Sequence, residues 1–416
     1  MVSTNIVYYC GRQAIERLID YCEQANFRRF NLICDTRTAK ILGERVENLF
    51  KQQGWSVRRI ELQGEEVLAD ETYLSQALAQ SELPPSTYLA VGSGTITDIT
   101  RWVSYQKGAP FISIPTAPSV DGFASVVAPV VFNGFKDTFP AQAPIAIFAD
   151  IETLCRAPKA MIAAGFGDML GKYTSLADWK LDHLIWGEDY RPEIAARIAV
   201  ALQTCVNNLG GIRQFTPEGI AGLMNGLVES GLCMLENGNS RPASGAEHHL
   251  SHFWEMKLLS TGRPAVLHGV KVGVGCVLVA GLWEQVKTLK SEDVKRRLSD
   301  ARLPDYTLER NLIDTIYRPN TERILKGQSR FLSLDEKGFA NLKQSISDQW
   351  EAILEIAAGV PPASRIVDLL SQLDAPTHAT EITLDTQEQI EALRYAHYLR
   401  DQFTISKLGR ILGLWE

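Results

Sequence analysis

Three histidines fall within five positions in "SGAEHHLSHFWEM", residues 244–256, in a chain with only 7 histidines. Imidazole can ligate a metal, carry a proton or hydrogen-bond a substrate. Successive residues on a helix turn by about 100°. His248 and His249 therefore cannot share a face, whereas His248 and His252, four apart, can. The stretch offers one usable pair and one bystander, His249. Two residues elsewhere suit the same chemistry. Asp168 stands between Gly167 and Met169 in the apolar "AAGFGDMLGKYTSLADWKL", where an acid must cap, pair or ligate. His268 precedes a glycine in "VLHGVKVGVG", at the start of another apolar run. A carboxylate and two imidazoles with open positions make a divalent catalytic site. Spacing alone does not bring the three together, and a single histidine is more often a hydrogen-bonded core residue or a cap.

A second constellation suits a nucleotide. In "YLAVGSGTITDITRW", residues 88–102, a hydrophobic strand enters Gly92-Ser93-Gly94 and a helix begins. Glycine lets backbone approach an anion, and a helix start supplies unpaired N–H groups and a positive dipole end. Diphosphate is the natural guest, with Asp98 one turn in to bond the loop or a ribose. The same turn also serves purely structural ends, and it lacks the full G-x-G-x-x-G pattern. Asp35, closing "NLICD", is either an acid for the two adenosine ribose hydroxyls or the start of a loop. Arg37 beside it softens a preference for NAD over NADP. In "IPTAPSVDGFASVVAPVV", residues 114–131, Thr116, Ser119 and Ser125 can contact a cofactor and Asp121 a polar substrate. The stretch reads as a loop at the carboxyl end of a strand, where open α/β sheets hold ligands.

These residues need elements to carry them. The first 150 residues alternate strand runs ("NIVYYC", "RRFNLICD", "WSVRRIELQG", "STYLAVGSG", "APFISIPTAP") with helical spacing ("QAIERLIDYCEQAN", "AKILGERVENLFKQQG", "DETYLSQALAQS"). Gly54 closes the second of these helices as a C-cap residue. Such alternation implies a mostly parallel sheet covered by helices. From about residue 157 helical stretches dominate, so the chain reads as an α/β domain over 1–156 and an all-α domain over 157–416. Glu284 to Arg310 is charge-rich with poor apolar periodicity, which suggests a solvated helix and loops. "VGVGCVLVAGLW", 272–283, is too short for the roughly 20 residues that a bilayer needs and reads as a buried helix.

Bulk properties narrow the class. A chain of 416 residues suits two domains. A net charge of −7 argues against nucleic acid as a partner. The 7 cysteines are scattered without a C-x-x-C pair, as expected for reduced, mostly buried thiols in the cytoplasm. No basic and then apolar opening suggests a signal peptide, and no membrane partner is expected.

"GSGTITDITRW", "PTAPSVDGFAS", "GFGDMLGK", "SGAEHHLSHFWEM" and "LHGVKVG" occur in that order. Together they resemble the sn-glycerol-1-phosphate dehydrogenase family, in particular its bacterial AraM-like branch. That family lies within the group of glycerol dehydrogenases, iron-type alcohol dehydrogenases and dehydroquinate synthases. The similarity runs from about residue 5 to the closing "RYAHYLRDQFTISKLGRILGLW". It implies a dehydroquinate synthase-like fold, with the active site in the cleft between a nucleotide-binding α/β domain and a helical domain.

By the same resemblance Gly94, Thr95, Ile96, Thr97, Asp98, Thr116, Ala117, Pro118 and Ser119 line NAD or NADP, with Ser125 near the nicotinamide; the reading of the strand ends adds Asp35 and Gly92 to that set. Asp121 bonds the substrate. Asp168, His248 and His268 hold one divalent metal, nickel in the bacterial branch and zinc in archaeal members. His252 touches the substrate, and His249 inherits no role; either His252 or a metal-bound water can pass the proton. Ala246 stands where many relatives carry Ser or Thr. The implied substrate is a small phosphorylated triose or glycerol, and the implied assembly is a homo-oligomer, a dimer or larger. Lys172 and Arg263 are candidate cations for the phosphate. A glycerol or polyol dehydrogenase, a dehydroquinate synthase-like lyase and a non-catalytic relative are the competing readings.

Overall fold

Six parallel strands carry the nucleotide constellation. The computed structural model describes residues 6–132 and 135–415, so Asn5, which opens the first expected strand, lies outside the described residues. The strands are β1 (Val7–Gly11), β2 (Arg29–Asp35), β3 (Ser56–Leu62), β4 (Thr87–Gly92), β5 (Phe111–Pro115), β6 (Val127–Phe132), β7 (Phe135–Pro140) and β8 (Ala146–Asp150). The main sheet runs β1-β8-β5-β4-β2-β3, every neighbour parallel. Alternation along each strand feeds two cores. Leu32, Leu89 and Val91 join the helices Ala14–Gln24 and Glu44–Gln52 on one face. Ile33, Tyr88 and Ala90 join Glu71–Gln80 and Gly94–Gln106 on the other. A sheet covered on both faces needs near-continuous apolar strands, and β4 is buried throughout.

The helix after β2 therefore lies on the opposite face from the helix after β4. The adjoining ends of these two strands form the topological switch point, where ligands bind in open α/β sheets. Register lines up the expected cofactor residues there. Ile33 pairs with Ala90 and Gly92 with Pro115, which sets Asp35, Gly92 and Pro115 level across three strands.

The stretch 114–131 is more than the loop expected of it, because β6 begins at Val127 and pairs antiparallel with β7. Pro129 obscured this strand, since proline lacks a ladder donor. It is tolerated because each strand of a two-stranded ribbon is an edge. Strand β8 was missed as well: "AIFAD" is too short and alanine-rich to declare itself. Gly54 sits at φ +78°, just past the helix Glu44–Gln52, as its C-terminal signal required.

The chain divides into two compact units, Met1–Met169 with Val200–Asn239, and Leu170–Ala199 with Ser240–Glu416. The first unit thus takes in the helix Pro217–Asn237 besides the sheet. The second is helical. Its central element, His268–Thr288, packs against Ala246–Ser260, Trp350–Ala358, Ala363–Ser371 and Ile405–Ile411. This helix is long and apolar enough to cross a membrane, but 67% of its most apolar window is buried inside the protein. It is the buried helix that the sequence suggested. The charge-rich segment differs from expectation: Ser291–Asp300 is amphipathic and buries Val294 and Leu298, four residues apart on one face. All 7 cysteines are free thiols.

Candidate active site

The glycine turn is shaped by packing as much as by any ligand. A Cβ on Gly92 would lie 2.5 Å from the Ile96 Cβ, and one on Gly94 would lie 3.2 Å from Val120. Ile96 and Thr97 point inward and Thr95 is exposed. Ser93 occupies the N-cap position of Gly94–Gln106 without capping it. Its hydroxyl turns instead to Ser119 Oγ at 2.5 Å and the Ala117 carbonyl at 3.3 Å. A helix of 13 residues thus presents its first N–H groups with no side-chain cap, the arrangement that receives a phosphate. Thr116, Ala117 and Ser119 are buried beside that turn.

Asp98 pairs with the fully buried Arg101, whose guanidinium donates to the carbonyls of Gly122 at 2.6 Å and Phe123 at 3.0 Å. Of its two expected uses, this pairing serves the loop. Asp35 Oδ1 accepts from the backbone of Arg37 at 2.8 Å and of Thr38 at 2.7 Å, capping the turn that follows β2. Arg37 donates to the Glu65 carbonyl at 2.9 Å. Ser125 exchanges hydrogen bonds of 3.0 Å with the backbone of Val127 at the start of β6.

The loop 116–121 is clamped from its other side. A Cβ on Gly165 would stand 1.8 Å from the Pro118 carbonyl oxygen, so only glycine lets the helix Lys159–Leu170 approach so closely. The Asp121 backbone N–H donates to Asp168 Oδ2 at 3.0 Å, and the Asp121 carboxylate accepts from Ser230 Oγ at 2.8 Å. Gly231 lets its helix approach the Asp121 carbonyl. One loop thus joins the expected cofactor and substrate residues to a ligand of the expected metal.

Asp168, His248 and His268 each offer one ligand atom, and these atoms lie within 4.8 Å of one another. Asp168 is fully buried and His248 is 5% exposed. One carboxylate and two imidazoles of this closeness fit a divalent ion. His252 joins the cluster, its ring centroid 6.5 Å from that of His248 and 5.7 Å from that of His268. Beyond it, Glu255 Oε2 lies 3.9 Å from His252 Nδ1 and 3.6 Å from the buried Lys271 ammonium.

Glu247 escaped sequence reasoning. It is fully buried and meets His248 Nδ1 at 2.8 Å. Burial pushes its carboxyl up, but hydrogen bonds and charge from His248, Thr174 and the Gly245 N–H outweigh this and hold it below the usual range. The signal was a carboxylate directly before a ligand histidine. Arg101 was legible as a partner three residues after Asp98; nothing in the sequence marked Ser230.

His249 is no solvated bystander but has 0% exposure, and burial, with Lys407 and Arg400 nearby, holds its pKa well below the ordinary value. Neither ring nitrogen has a hydrogen-bond partner among the described residues. His249→Ala is therefore expected to lower stability by about 2–4 kcal/mol through the cavity it leaves. His249→Leu, which removes two unsatisfied nitrogens at similar volume, should cost far less. Neither should change metal content. Denaturant melts and elemental analysis of the two variants check this.

The two candidate phosphate cations are both engaged by groups of the protein. Arg263 lies 3.0 Å and 2.5 Å from the two Glu388 oxygens and also donates to the Thr383 carbonyl. Lys172 is fully buried and donates to the Ala243 carbonyl at 3.2 Å.

Comparison with known proteins shows the family. Residues 9–158 match the iron-containing alcohol dehydrogenase family. The chain is 37% identical over 397 residues to a glycerol-1-phosphate dehydrogenase [NAD(P)+] of Bacillus subtilis (strain 168), covering 95% of this chain and 88% of that one. It is 43% identical over 290 residues to the enzyme of the same name from Geobacillus thermodenitrificans, covering 69% and 72%. Among solved structures, the iron-containing alcohol dehydrogenase of Corynebacterium glutamicum ATCC 13032 shares the fold at a TM-score of 0.59 and 13% identity, covering 99% of this chain and 94% of that one. With the glycine turn at the switch point and the likeness to these relatives along almost its whole length, the chain belongs to the glycerol-1-phosphate dehydrogenase family.

Proposed function

We propose that this protein interconverts dihydroxyacetone phosphate and sn-glycerol 1-phosphate, using NAD or NADP and one divalent ion, nickel or zinc. The observation that carries the reading is the buried set of Asp168, His248 and His268, with His252 beside it, in a chain similar to glycerol-1-phosphate dehydrogenases over 95% of its length. When bound, the ion supplies Lewis-acid polarisation of a substrate oxygen, and the nicotinamide exchanges hydride with substrate carbon.

The remaining roles fall to the protein. Asp168, His248 and His268 hold the ion. The first N–H groups of Gly94–Gln106 receive the diphosphate, and the loop 116–119 shapes the seat of the dinucleotide beside Gly92 and Gly94. Ser125 approaches the nicotinamide, and Asp35 serves the adenosine ribose with the carboxylate oxygen that does not cap the turn. Asp121, steadied by Ser230, bonds the substrate. His252 touches the substrate and passes the proton that accompanies hydride transfer. Holding the reacting carbons in register supplies much of the rate.

Steady-state assay of both glycerol phosphate enantiomers and of glycerol tests the reading. Oxidation of sn-glycerol 1-phosphate, with little turnover of its mirror image or of glycerol, is expected. Preference for unphosphorylated glycerol would replace it with a polyol dehydrogenase.

A further inference from the structure

We propose that Glu247 is the positioning residue that turns His248 toward the metal, an inference resting on the metal-site reading above. His248 has two ring nitrogens and can offer one to an ion only if the other is held and carries the proton. Glu247 Oε1 meets His248 Nδ1 at 2.8 Å. The carboxylate accepts there, so Nδ1 donates and Nε2 is left with its lone pair.

The carboxylate itself is fixed by two hydrogen bonds besides the one to the imidazole. The Gly245 N–H donates to Oε1 at 2.7 Å, and Thr174 Oγ1 donates to Oε2 at 2.7 Å. Gly275, on the helix that begins with His268, fits so closely that a Cβ there would lie 2.7 Å from the Glu247 carbonyl oxygen. The two histidine-bearing helices therefore touch at Glu247, and the helix Lys172–Trp186 anchors its carboxylate through Thr174. The N-terminus of Ala246–Ser260 has no cap from its own N-cap residue. Glu247 and Asp178, which accepts the Ala246 N–H at 2.8 Å, satisfy it instead. A carboxylate held by two other donors and aimed at one imidazole nitrogen is a device for orientation.

The test is metal affinity, measured on metal-free protein by competition with a chromogenic chelator for zinc and for nickel, with the thermal midpoint of the metal-free protein recorded in parallel. Glu247→Ala is expected to weaken affinity about 10–100-fold. Glu247→Gln, whose amide oxygen can still accept from Nδ1, should lose less. Thr174→Val, which releases Oε2 alone, should show a measurable loss while keeping a near-normal midpoint. Wild-type affinity in a folded Glu247→Ala protein would overturn the proposal. If that variant does not fold, unchanged affinity in both Glu247→Gln and Thr174→Val would do so. A wild-type protein that takes up neither metal would overturn the metal site itself, which separates the two failures.

Discussion

Gly165→Ala is expected to impair the protein more than any other single methyl group added near the candidate site. The new Cβ would stand 1.8 Å from the Pro118 carbonyl oxygen and 2.8 Å from its carbonyl carbon. Both partners are backbone, so no side chain can swing away, and the helix and loop must separate by more than 1 Å to restore van der Waals contact. The overpacking should cost about 3 kcal/mol. The functional effect should be larger. The loop that moves carries Ser119 against the glycine turn and the Asp121 N–H against Asp168. A misplacement of about 1 Å costs on the order of 10²-fold in rate. Thermal melts and steady-state turnover of the variant check both effects. Gly122→Ala is the control, because its Cβ would meet nothing within 4 Å. Equal behaviour of the two variants would show that the clamp has no role.

Asp168→Asn is the second large effect. The change preserves size and removes one charge from a ligand set whose atoms lie within 4.8 Å. An amide is a poor ligand for a divalent ion beside two imidazoles. Metal affinity should fall by at least about 10², since even an outer partner of a ligand costs 10–100-fold. His268→Ala should do the same, while His249→Ala keeps its metal. Elemental analysis after dialysis, with circular dichroism to establish folding, reads the result. Full metal content in folded Asp168→Asn would remove Asp168 from the site.

Much of this arrangement was legible in the sequence because its physics is local. Strand-to-glycine-to-helix punctuation places Gly92–Gly94 without tertiary information. An acid in an apolar helix and a histidine before glycine stand out as polar groups that need a purpose. Helical spacing separates His248 and His252 from His249. What stayed hidden depends on contacts between segments distant in sequence. Gly165 reads as one small residue among several until Pro118 arrives against it. Ser230 carries no mark until Asp121 meets it from 109 positions away. His249 faces away from its neighbours as spacing required, but only packing by the chain near Lys407 shows that its other side is buried. Arg263 is a plausible anion partner until Glu388 occupies its guanidinium. The hairpin of β6 and β7 was masked by a proline that an edge tolerates.

The most direct test of the account is reduction of dihydroxyacetone phosphate by NADH and NADPH on one metal-stripped preparation, with nickel or zinc then added back. Negligible turnover is expected in the folded, metal-free protein, with recovery on addition of one of the two ions and sn-glycerol 1-phosphate as the product. Full turnover without metal, or none after either ion is bound, would contradict it.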